Sequence, residues 1–333
     1  MIRAGLVALA AWCAWPASAG AQADTTQRDT TAAADTTAPP PDTMAVLLPV
    51  FDPAIAPGPF PKGTRYTFTA DTLLFLSSRT LSDLLTHIPG VYVARGGWYG
   101  QAEIPLYGGR GPAGLEVFWD GVPVMPLGRD SIYLDPARIA LAPFERVDVI
   151  VLPAALQVYL VTVAHRSTDP RTQVGVLTGR QDIAGYRAGY ARRTRSGFGV
   201  SLVADWSSMG VGPVSNTTTS FGTSDLWLKA EYVPPGGRVG ASFQMTGSSW
   251  HRAGAPVTDG RVDGWRQDRR DRSLRVFLAQ RDDGLGWRIT GTLASTSLSH
   301  DSLVGNRSVS TATIEARLTS RRATIAGTAR FGA

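Results

Sequence analysis

Alternation between apolar and polar positions dominates the second half of the chain, from Gln173 to Ala333. The runs are roughly ten residues long, and Gly, Asp, Asn, Ser and Pro separate them. The most regular runs are 198–206, 226–232, 239–245, 287–293, 314–318 and 323–331. Together with less regular runs at 174–183, 186–195 and 274–280, they predict about nine antiparallel strands.

The length of these runs separates two fold classes that share the alternation. A strand that crosses an outer membrane needs about 9 to 11 residues, whereas strands of soluble sandwiches usually have about five or six. The pattern therefore predicts a transmembrane β-barrel, with a soluble β-sandwich as the alternative. Aromatic residues near the strand ends are candidates for interfacial belts: Tyr186, Tyr190, Trp206, Trp227, Tyr232, Trp250 and Trp287.

Residues 64–165 carry a mixed α/β pattern that predicts a compact domain before the strands. Thr80 or Ser82 can cap a short helix, which Pro89-Gly90 ends. The pair Asp120-Gly121, which tight hairpins favour, joins strand-like runs at 116–119 and 122–124. Residues 146–151 alternate cleanly and predict a further strand. The helix has apolar residues on one face, at Leu81, Leu84, Leu85 and Ile88.

The N-terminal 23 residues, 1–23, have the organisation of a cleaved signal peptide, with Arg3, an apolar run and Ala21-Gln22-Ala23 as cleavage site. A lipoprotein is the competing interpretation because Cys13 lies in the apolar run, but the bulky Trp12 precedes it. The mature chain is expected to begin after residue 23. Residues 24–63, rich in Thr, Ala and Pro, are predicted to be a disordered tether.

Composition and charge exclude several classes of protein. A mean hydropathy of -0.04 excludes a bundle of membrane helices. The only cysteine, Cys13, leaves with the signal peptide, so no disulfides are expected. The net charge of +6 comes almost wholly from scattered arginines, so no nucleic-acid partner is predicted. The exception, Arg266–Arg272 with Asp268 and Asp271, is interpreted as a solvent-facing extracellular loop.

Four motifs follow one another in residues 84–150: a helix ending in Pro89-Gly90-Val91, an Arg110-Gly111 pair after a strand, the hairpin around Asp120-Gly121, and a strand that begins Phe144-Glu145-Arg146-Val147. In this order they resemble the landmarks of the plug domain of TonB-dependent outer-membrane receptors. The resemblance covers roughly residues 64–163 by motif and the remainder by strand texture alone.

The resemblance implies a mixed α/β plug domain inside an antiparallel transmembrane β-barrel of about 22 strands. It implies outer-membrane location and energised uptake of a scarce nutrient, such as a siderophore, cobalamin or an oligosaccharide. The partners it implies are outer-membrane lipid, a small-molecule nutrient or chelate, and a TonB-type energising protein in the periplasm. That protein would add a strand to a TonB box, which the segment Asp42, Thr43, Met44, Ala45 and Val46 resembles.

The chain departs from the family pattern at two places. Residues 152–163 lack the glycines that usually follow the last plug strand, so the passage from plug to barrel must be rebuilt. Nine strands within 173–333 cannot make a barrel of about 22, and Arg330–Ala333 lacks the expected terminal aromatic residue. The chain is therefore expected to be truncated or a reduced relative with an incomplete barrel. A closure of eight or ten strands would leave no lumen for a plug.

No catalytic, cofactor-binding or metal-binding constellation is found in the sequence, so the protein is predicted not to be an enzyme. The histidines His87, His165, His251 and His300 lack the spacing of metal ligands. Trp98 and Tyr99, on a glycine-rich loop, are candidates for contact with the substrate. Within the plug, Arg110 could pair with Glu145, or Arg146 with carboxylates of the barrel lumen. A non-transporting outer-membrane or periplasmic interaction protein is the alternative function; a secreted hydrolase would need a clustered nucleophile or carboxylate pair.

Overall fold

The computed structural model describes residues 47–51, 61, 63–95, 102–109, 111–127, 134–153, 155–179, 183–211, 219–253, 264–301, 306–320 and 323–332. The signal peptide and the tether up to Val46 lie outside the described residues. Within these ranges, no helix combines the length and the apolar character that crossing a membrane would require.

The first part of the fold, here the N-terminal module (residues 63–165), is built on a mixed five-stranded sheet with two short helices. Its sheet order is β1-β6-β7-β4-β5, in which only β4 and β7 are parallel, and β2 pairs separately with β3. The elements are β1 Arg65–Thr69, α1 Ala70–Phe75, α2 Leu81–Leu85, β2 Val91–Ala94, β3 Ile104–Tyr107, β4 Leu115–Trp119, β5 Val122–Pro123, β6 Phe144–Val151 and β7 Leu156–Thr162. Two 3-10 turns lie at Pro112–Gly114 and Pro136–Arg138.

Helix α2 begins where its sequence predicts, after Thr80, but ends at Leu85, before the predicted stop at Pro89-Gly90, and lies in the core of the module. Thr80 is the N-cap: its hydroxyl accepts the Asp83 amide, and the Asp83 carboxylate accepts the Thr80 amide in return. The apolar face of the helix, Leu81, Leu84 and Leu85, packs in the core together with Ile88 from the turn that follows, and all four are at most 2% exposed. Each such burial stabilises the fold by about 1.5–3 kcal/mol.

The hairpin at Asp120-Gly121 is confirmed. Both residues have positive φ, 47° and 84°. This is the backbone conformation of a two-residue hairpin turn whose twist matches that of the flanking strands. The turn joins β4 to β5 through the pairs Phe118↔Pro123 and Trp119↔Val122. The glycine-free segment that follows β6 turns at Leu152, whose amide donates to the Ala155 carbonyl, and returns as strand β7 between β6 and β4.

The second part of the fold is an antiparallel meander of nine strands, which confirms the predicted strand count. Each strand pairs with its neighbours in chain order. The strands are β8 Arg171–Gly179, β9 Ile183–Arg193, β10 Phe198–Val211, β11 Thr219–Tyr232, β12 Val239–Ala253, β13 Trp265–Ala279, β14 Gly286–His300, β15 Arg307–Thr319 and β16 Thr324–Gly332.

The burial of this sheet is inverted relative to a soluble protein. One face is apolar and exposed, with Phe198, Leu202, Leu226, Phe243 and Leu293 each at least 37% exposed. The other face is largely polar and packs against the N-terminal module; it includes Ser201, Asp205, Lys229, Glu231, Ser242 and Gln244, all at most 8% exposed. A soluble sandwich buries its apolar face instead, so this inversion favours the transmembrane barrel.

Two sequence predictions about the sheet are wrong. Trp227 and Trp250 are 1% and 3% exposed and lie on the polar face, so they contact the module and do not belong to an outer aromatic belt. Arg266–Arg272 is not a loop: it forms the first half of β13, paired with β12 and β14. The strand was not predicted because the residues on both of its faces are polar in this segment, so apolar and polar positions do not alternate. The other belt candidates, such as Tyr186 and Trp287, are exposed.

The sheet is open, since the edge strands β8 and β16 each pair on one side only within the described residues. Successive strands alternate in direction, so the first and the ninth run the same way. Joining them would create a parallel pair, and closure with only antiparallel pairs therefore needs an odd number of further strands. Unpaired edges are costly in a membrane because hydrocarbon offers no partner to the free backbone groups.

Candidate functional site

The structure describes only part of the predicted site residues. The box Asp42–Val46, the loop residues Trp98 and Tyr99, and Arg110 lie outside the described residues. Pro89 and Gly90 end the turn after α2, where Gly90 has a φ of 80°. Gly111 also has a positive φ, 56°, before the 3-10 turn at 112–114.

Glu145 and Arg146, at the start of β6, have separate roles in the module. The Glu145 carboxylate accepts the Ala164 amide at 3.0 Å and so holds the passage from β7 towards β8. The Arg146 Nε lies 3.2 Å from the buried Asp148 carboxylate, which also accepts hydrogen bonds from Arg65 and Thr67. Both residues therefore act within the module, at its exit.

Asp120 connects the hairpin to the nine-stranded sheet. Its buried carboxylate accepts the Thr162 amide at 3.0 Å and the Thr162 hydroxyl at 2.7 Å. The Gln244 amide on β12, oriented with its nitrogen towards Asp120, donates to the same carboxylate at 3.0 Å, while its oxygen accepts the indole N–H groups of Trp119 and Trp227. The Gln244 amide thus bonds a turn residue of the module to strand β12 of the sheet.

A second contact between module and sheet is ionic and uses Asp205 on β10. Its carboxylate accepts Arg79 of the module at 3.0 Å and Arg187 of β9 at 2.6 Å. Gly185 makes room for this contact, because a Cβ there would lie 2.9 Å from the Arg79 guanidinium. The absence of a side chain at Gly185 therefore lets the arginine reach the sheet.

A third contact holds the segment Leu47–Phe51, here the anchor segment, against one end of the sheet. The prediction of a disordered tether over 24–63 is therefore wrong for these residues. The ring of Phe51, 2% exposed, meets the Phe277 ring edge-on at 5.0 Å, and the Arg275 guanidinium lies 4.6 Å from its centroid. The Phe51 amide donates to the Glu231 carboxylate at 3.2 Å. The predicted box 42–46, which lies outside the described residues, immediately precedes this segment in the sequence.

Glu231 organises the charges beneath the anchor segment. Its carboxylate lies 2.7 Å from Arg193 and 3.3 Å from Lys229, and all three side chains are at most 9% exposed. Arg193 also donates to the carbonyl oxygens of Pro49 and Gly197. Lys229 donates to the Thr162 hydroxyl at 3.3 Å, which links this cluster to Asp120.

A cavity of about 300 Å³ lies between the module and the sheet, towards the opposite strand ends. Arg138 of the 3-10 turn 136–138 lies 5.0 Å from the ring centroids of both Trp250 and Trp265. Asp135 holds the same guanidinium at 2.9 Å, and burial raises the pKa of the Asp135 carboxyl although Arg138 opposes the shift. The Arg138 Nη1 is buried and has no hydrogen-bond partner in the described part of the chain.

The cavity is lined by two arginines, four aspartates and indole rings. It is therefore suited to a planar ligand with an oxygen that can accept a hydrogen bond from the Arg138 Nη1. Arg269 on β13 also lines it, bonded to Asp271 at 2.8 Å and to the Met125 carbonyl oxygen at 3.0 Å. Across the described ranges, no group of three or more His, Cys, Asp and Glu side chains could hold a metal ion. The arrangement can bind and orient a ligand through charge and stacking.

Sequence reasoning missed Arg138, Phe51, Glu231 and Asp205. Asp135-Pro136 does signal a turn start, because Asp at an N-cap followed by Pro is favoured. The others carry no local signal, since their roles depend on how the module is seated on the sheet.

Comparisons with known proteins agree on the fold. No family model matches the sequence, and no curated protein matches it. The structure is similar to the ferripyoverdine receptor of the outer membrane of Pseudomonas aeruginosa, with a TM-score of 0.63 at 12% identity, over 88% of this chain and 46% of that chain.

Two further solved structures are similar over comparable shares. The ferric-catecholate import receptor Fiu of E. coli K12 has a TM-score of 0.58 at 12% identity, over 82% of this chain and 46% of that chain. The ferric preacinetobactin receptor BauA of Acinetobacter baumannii has a TM-score of 0.57 at 14% identity, over 76% and 43%. The chain spans less than half the length of each of these receptors. The inverted nine-stranded sheet, the module on its polar face and these likenesses together give the chain the fold of the TonB-dependent outer-membrane receptors that its motifs resemble.

Proposed function

We propose that the chain is the plug and the first part of the barrel wall of an outer-membrane receptor for energised uptake of an iron chelate. In this proposal residues 1–23 direct export, 24–63 form the tether with the TonB box at 42–46, 64–165 are the plug, and 173–333 are wall strands. The observation that supports it most is the inverted sheet with the module bonded to its polar face.

The opposite ends of the interface suit the two tasks of such a receptor. The anchor segment lies at the strand ends where β9–β10 and β11–β12 are joined by the short connections 194–197 and 233–238. Short connections are typical of the periplasmic side, where an energising partner would act. The cavity with Arg138 lies towards the other end, which would face the nutrient.

Energy must come from outside the chain. Binding alone equilibrates a ligand across a membrane, and ligands shift states only by differential affinity. A pulled strand at the box is suited to transmit force because strand addition is held by main-chain hydrogen bonds. The protein itself performs no covalent chemistry in this proposal.

The chemistry of the cavity supports a chelate with flat groups and an exposed oxygen acceptor. Arginines favour carboxylate or phenolate oxygens, and indole rings stack on planar groups. The similar structures are receptors named for ferripyoverdine, ferric catecholates and ferric preacinetobactin. An iron chelate is therefore the class of nutrient proposed here.

The test is uptake of radioactive iron by cells that carry or lack the native gene, supplied as ferric citrate, a ferric catecholate or a ferric hydroxamate. We expect uptake of one chelate class to depend on the gene and on the energised state of the cell. Uptake that is equal in both strains for every class, or that survives removal of the energising protein, would contradict the proposal.

Within this assay, Arg138→Ala is expected to weaken apparent affinity for the chelate by about 10- to 100-fold, the value of one charge-assisted hydrogen bond. Its buried, unpartnered Nη1 is the donor that a ligand oxygen would use. Arg281→Ala, in an exposed turn with Asp283, is the matched control and should leave affinity within about twofold. Equal loss in both variants would count against a ligand at Arg138.

A further inference from the structure

The outward face of the sheet changes from apolar to polar along one line that crosses several strands. Five residues in register form the last apolar row, at Phe243, Leu274, Leu293, Ala312 and Phe331. The next outward row, two residues further along each strand, is Met245, Arg272, Ser295 and Ser310. The row after that contains Gly247, Arg270, Ser297 and Ser308.

This line lies on the side of the sheet that would face the outer leaflet. Beyond it lie the two longest connections of the sheet, 212–218 and 254–264, together with the short one at 180–182. The anchor segment is at the other end, where the connections are 194–197, 233–238, 280–285 and 320–323. Outer-membrane barrels have their longer loops outside and their short turns in the periplasm. Arg272 is therefore placed where acyl chains end and lipid head groups begin.

Arg270 and Arg272, both on the outward face of β13, differ from two other arginines of the strand in having no carboxylate partner among the described residues. Arg266 is bonded to Asp268 at 3.1 Å, and Arg269, on the inner face, is bonded to Asp271 at 2.8 Å. Arg272 is exposed and has no ion-pair partner among the described residues. At this boundary an unpaired arginine costs only about 0–1 kcal/mol, and the phosphate of a lipid head group can supply the anionic partner that the chain does not.

An outward groove of about 460 Å³ begins at Arg272. Its floor is apolar, with the large side chains of Phe243, Leu293 and Phe331 around it. The surface is lower at Ser295, Ser310 and Ala312 because these side chains are small. An apolar channel with one guanidinium at its outer end is complementary to an acyl chain that carries a negative head group.

We propose that this groove binds a phosphate-bearing lipid of the outer leaflet, with a phosphate on Arg272 and an acyl chain along the apolar floor. The proposal rests on the proposed function, because it requires the outward face to contact lipid. Free phosphate would use the guanidinium but not the floor, and an uncharged lipid would use the floor alone. The two features together therefore favour an anionic lipid.

The test is native mass spectrometry of the full chain, purified in detergent from the outer-membrane fraction and titrated with diphosphoryl lipid A. We expect Arg272→Ala to weaken binding about tenfold or more, as loss of a charge-assisted hydrogen bond predicts. Arg272→Lys should stay within about threefold because it keeps the charge. Arg266→Ala, which removes an exposed arginine already paired with Asp268, is the control and should change binding less than about twofold.

Each outcome decides the inference. Unchanged lipid A binding in Arg272→Ala, or displacement of the lipid by millimolar inorganic phosphate, would overturn it. Equal affinity for diphosphoryl lipid A and an uncharged diacylglycerol would also overturn it. If the protein is recovered from the outer membrane in these cases, the proposed function is unaffected; if it is absent from that membrane, the proposed function fails and the inference fails with it.

Discussion

Replacing Glu231 by Ala is expected to destabilise the folded protein by about 3–5 kcal/mol, because it removes one partner from a buried ionic cluster. The Glu231 carboxylate is the shared acceptor of Arg193, Lys229 and the Phe51 amide. Without it, two buried cations face each other with no counter-charge. The measurement is thermal and denaturant unfolding of the purified full chain in detergent.

Two comparison variants make this prediction specific. Glu231→Gln keeps an acceptor oxygen but not the charge, so it should fall between Glu231→Ala and the native protein. Glu315→Ala removes a half-buried carboxylate paired with the exposed Arg317 at 3.0 Å, and should change stability by less than about 1 kcal/mol. Equal, small effects for Glu231→Ala and Glu315→Ala would show that the cluster does not hold the fold.

Phe51→Ala is expected to release the anchor segment while leaving the nine-stranded sheet folded. The ring is almost fully buried against Phe277 and Arg275, and truncation of a buried Phe costs about 3–5 kcal/mol. Local opening then becomes easier, so amide hydrogen exchange at residues 48–51 should accelerate by about 100-fold or more. Exchange in β11 and β12 should stay nearly unchanged.

The matched control for this variant is Leu47→Ala, four residues earlier. Leu47 is 72% exposed, so its truncation should leave exchange within about twofold. Acceleration of the same size in both variants would mean that the Phe51 ring does not hold the segment. Acceleration that spreads through the sheet would mean that the segment and the wall unfold as one unit.

The period of apolar residues was sufficient to predict the sheet and α2. Alternation alone identifies β10, β11, β12 and β14, because a two-faced strand repeats every second residue. Thr80 and the spacing of Leu81 to Ile88 likewise define the helix, and Asp120-Gly121 defines the hairpin, because these signals are local.

The contacts between module and sheet could not be predicted in the same way. Glu231, Asp205 and Gln244 occupy polar positions of alternating strands, where any polar residue fits the pattern. Their partners Phe51, Arg79 and Asp120 lie far along the chain, and the pairing exists only once the module is seated. The same dependence explains why Trp227 and Trp250 were placed on the wrong face.

The charged half of β13 shows a further limit of pattern analysis. Arg266–Arg272 has no apolar face to reveal a strand, and only pairing with β12 and β14 establishes it. The candidate site depends on this strand, since Arg269 lines the inner cavity and Arg272 heads the outer groove.

The central claim is that the apolar face of the nine-stranded sheet contacts lipid. Two adjacent residues of β14, one on each face, test it most directly. The only native cysteine, Cys13, precedes residue 24, so Leu293→Cys and Thr292→Cys each give a single labelling site in a chain processed after residue 23. Each variant is labelled with the same small fluorophore and reconstituted into vesicles that contain brominated lipid chains. The account predicts strong quenching by brominated chains at position 293, which faces outward, and little at position 292. Equal quenching at both positions, or quenching at 293 by aqueous iodide alone, would contradict it.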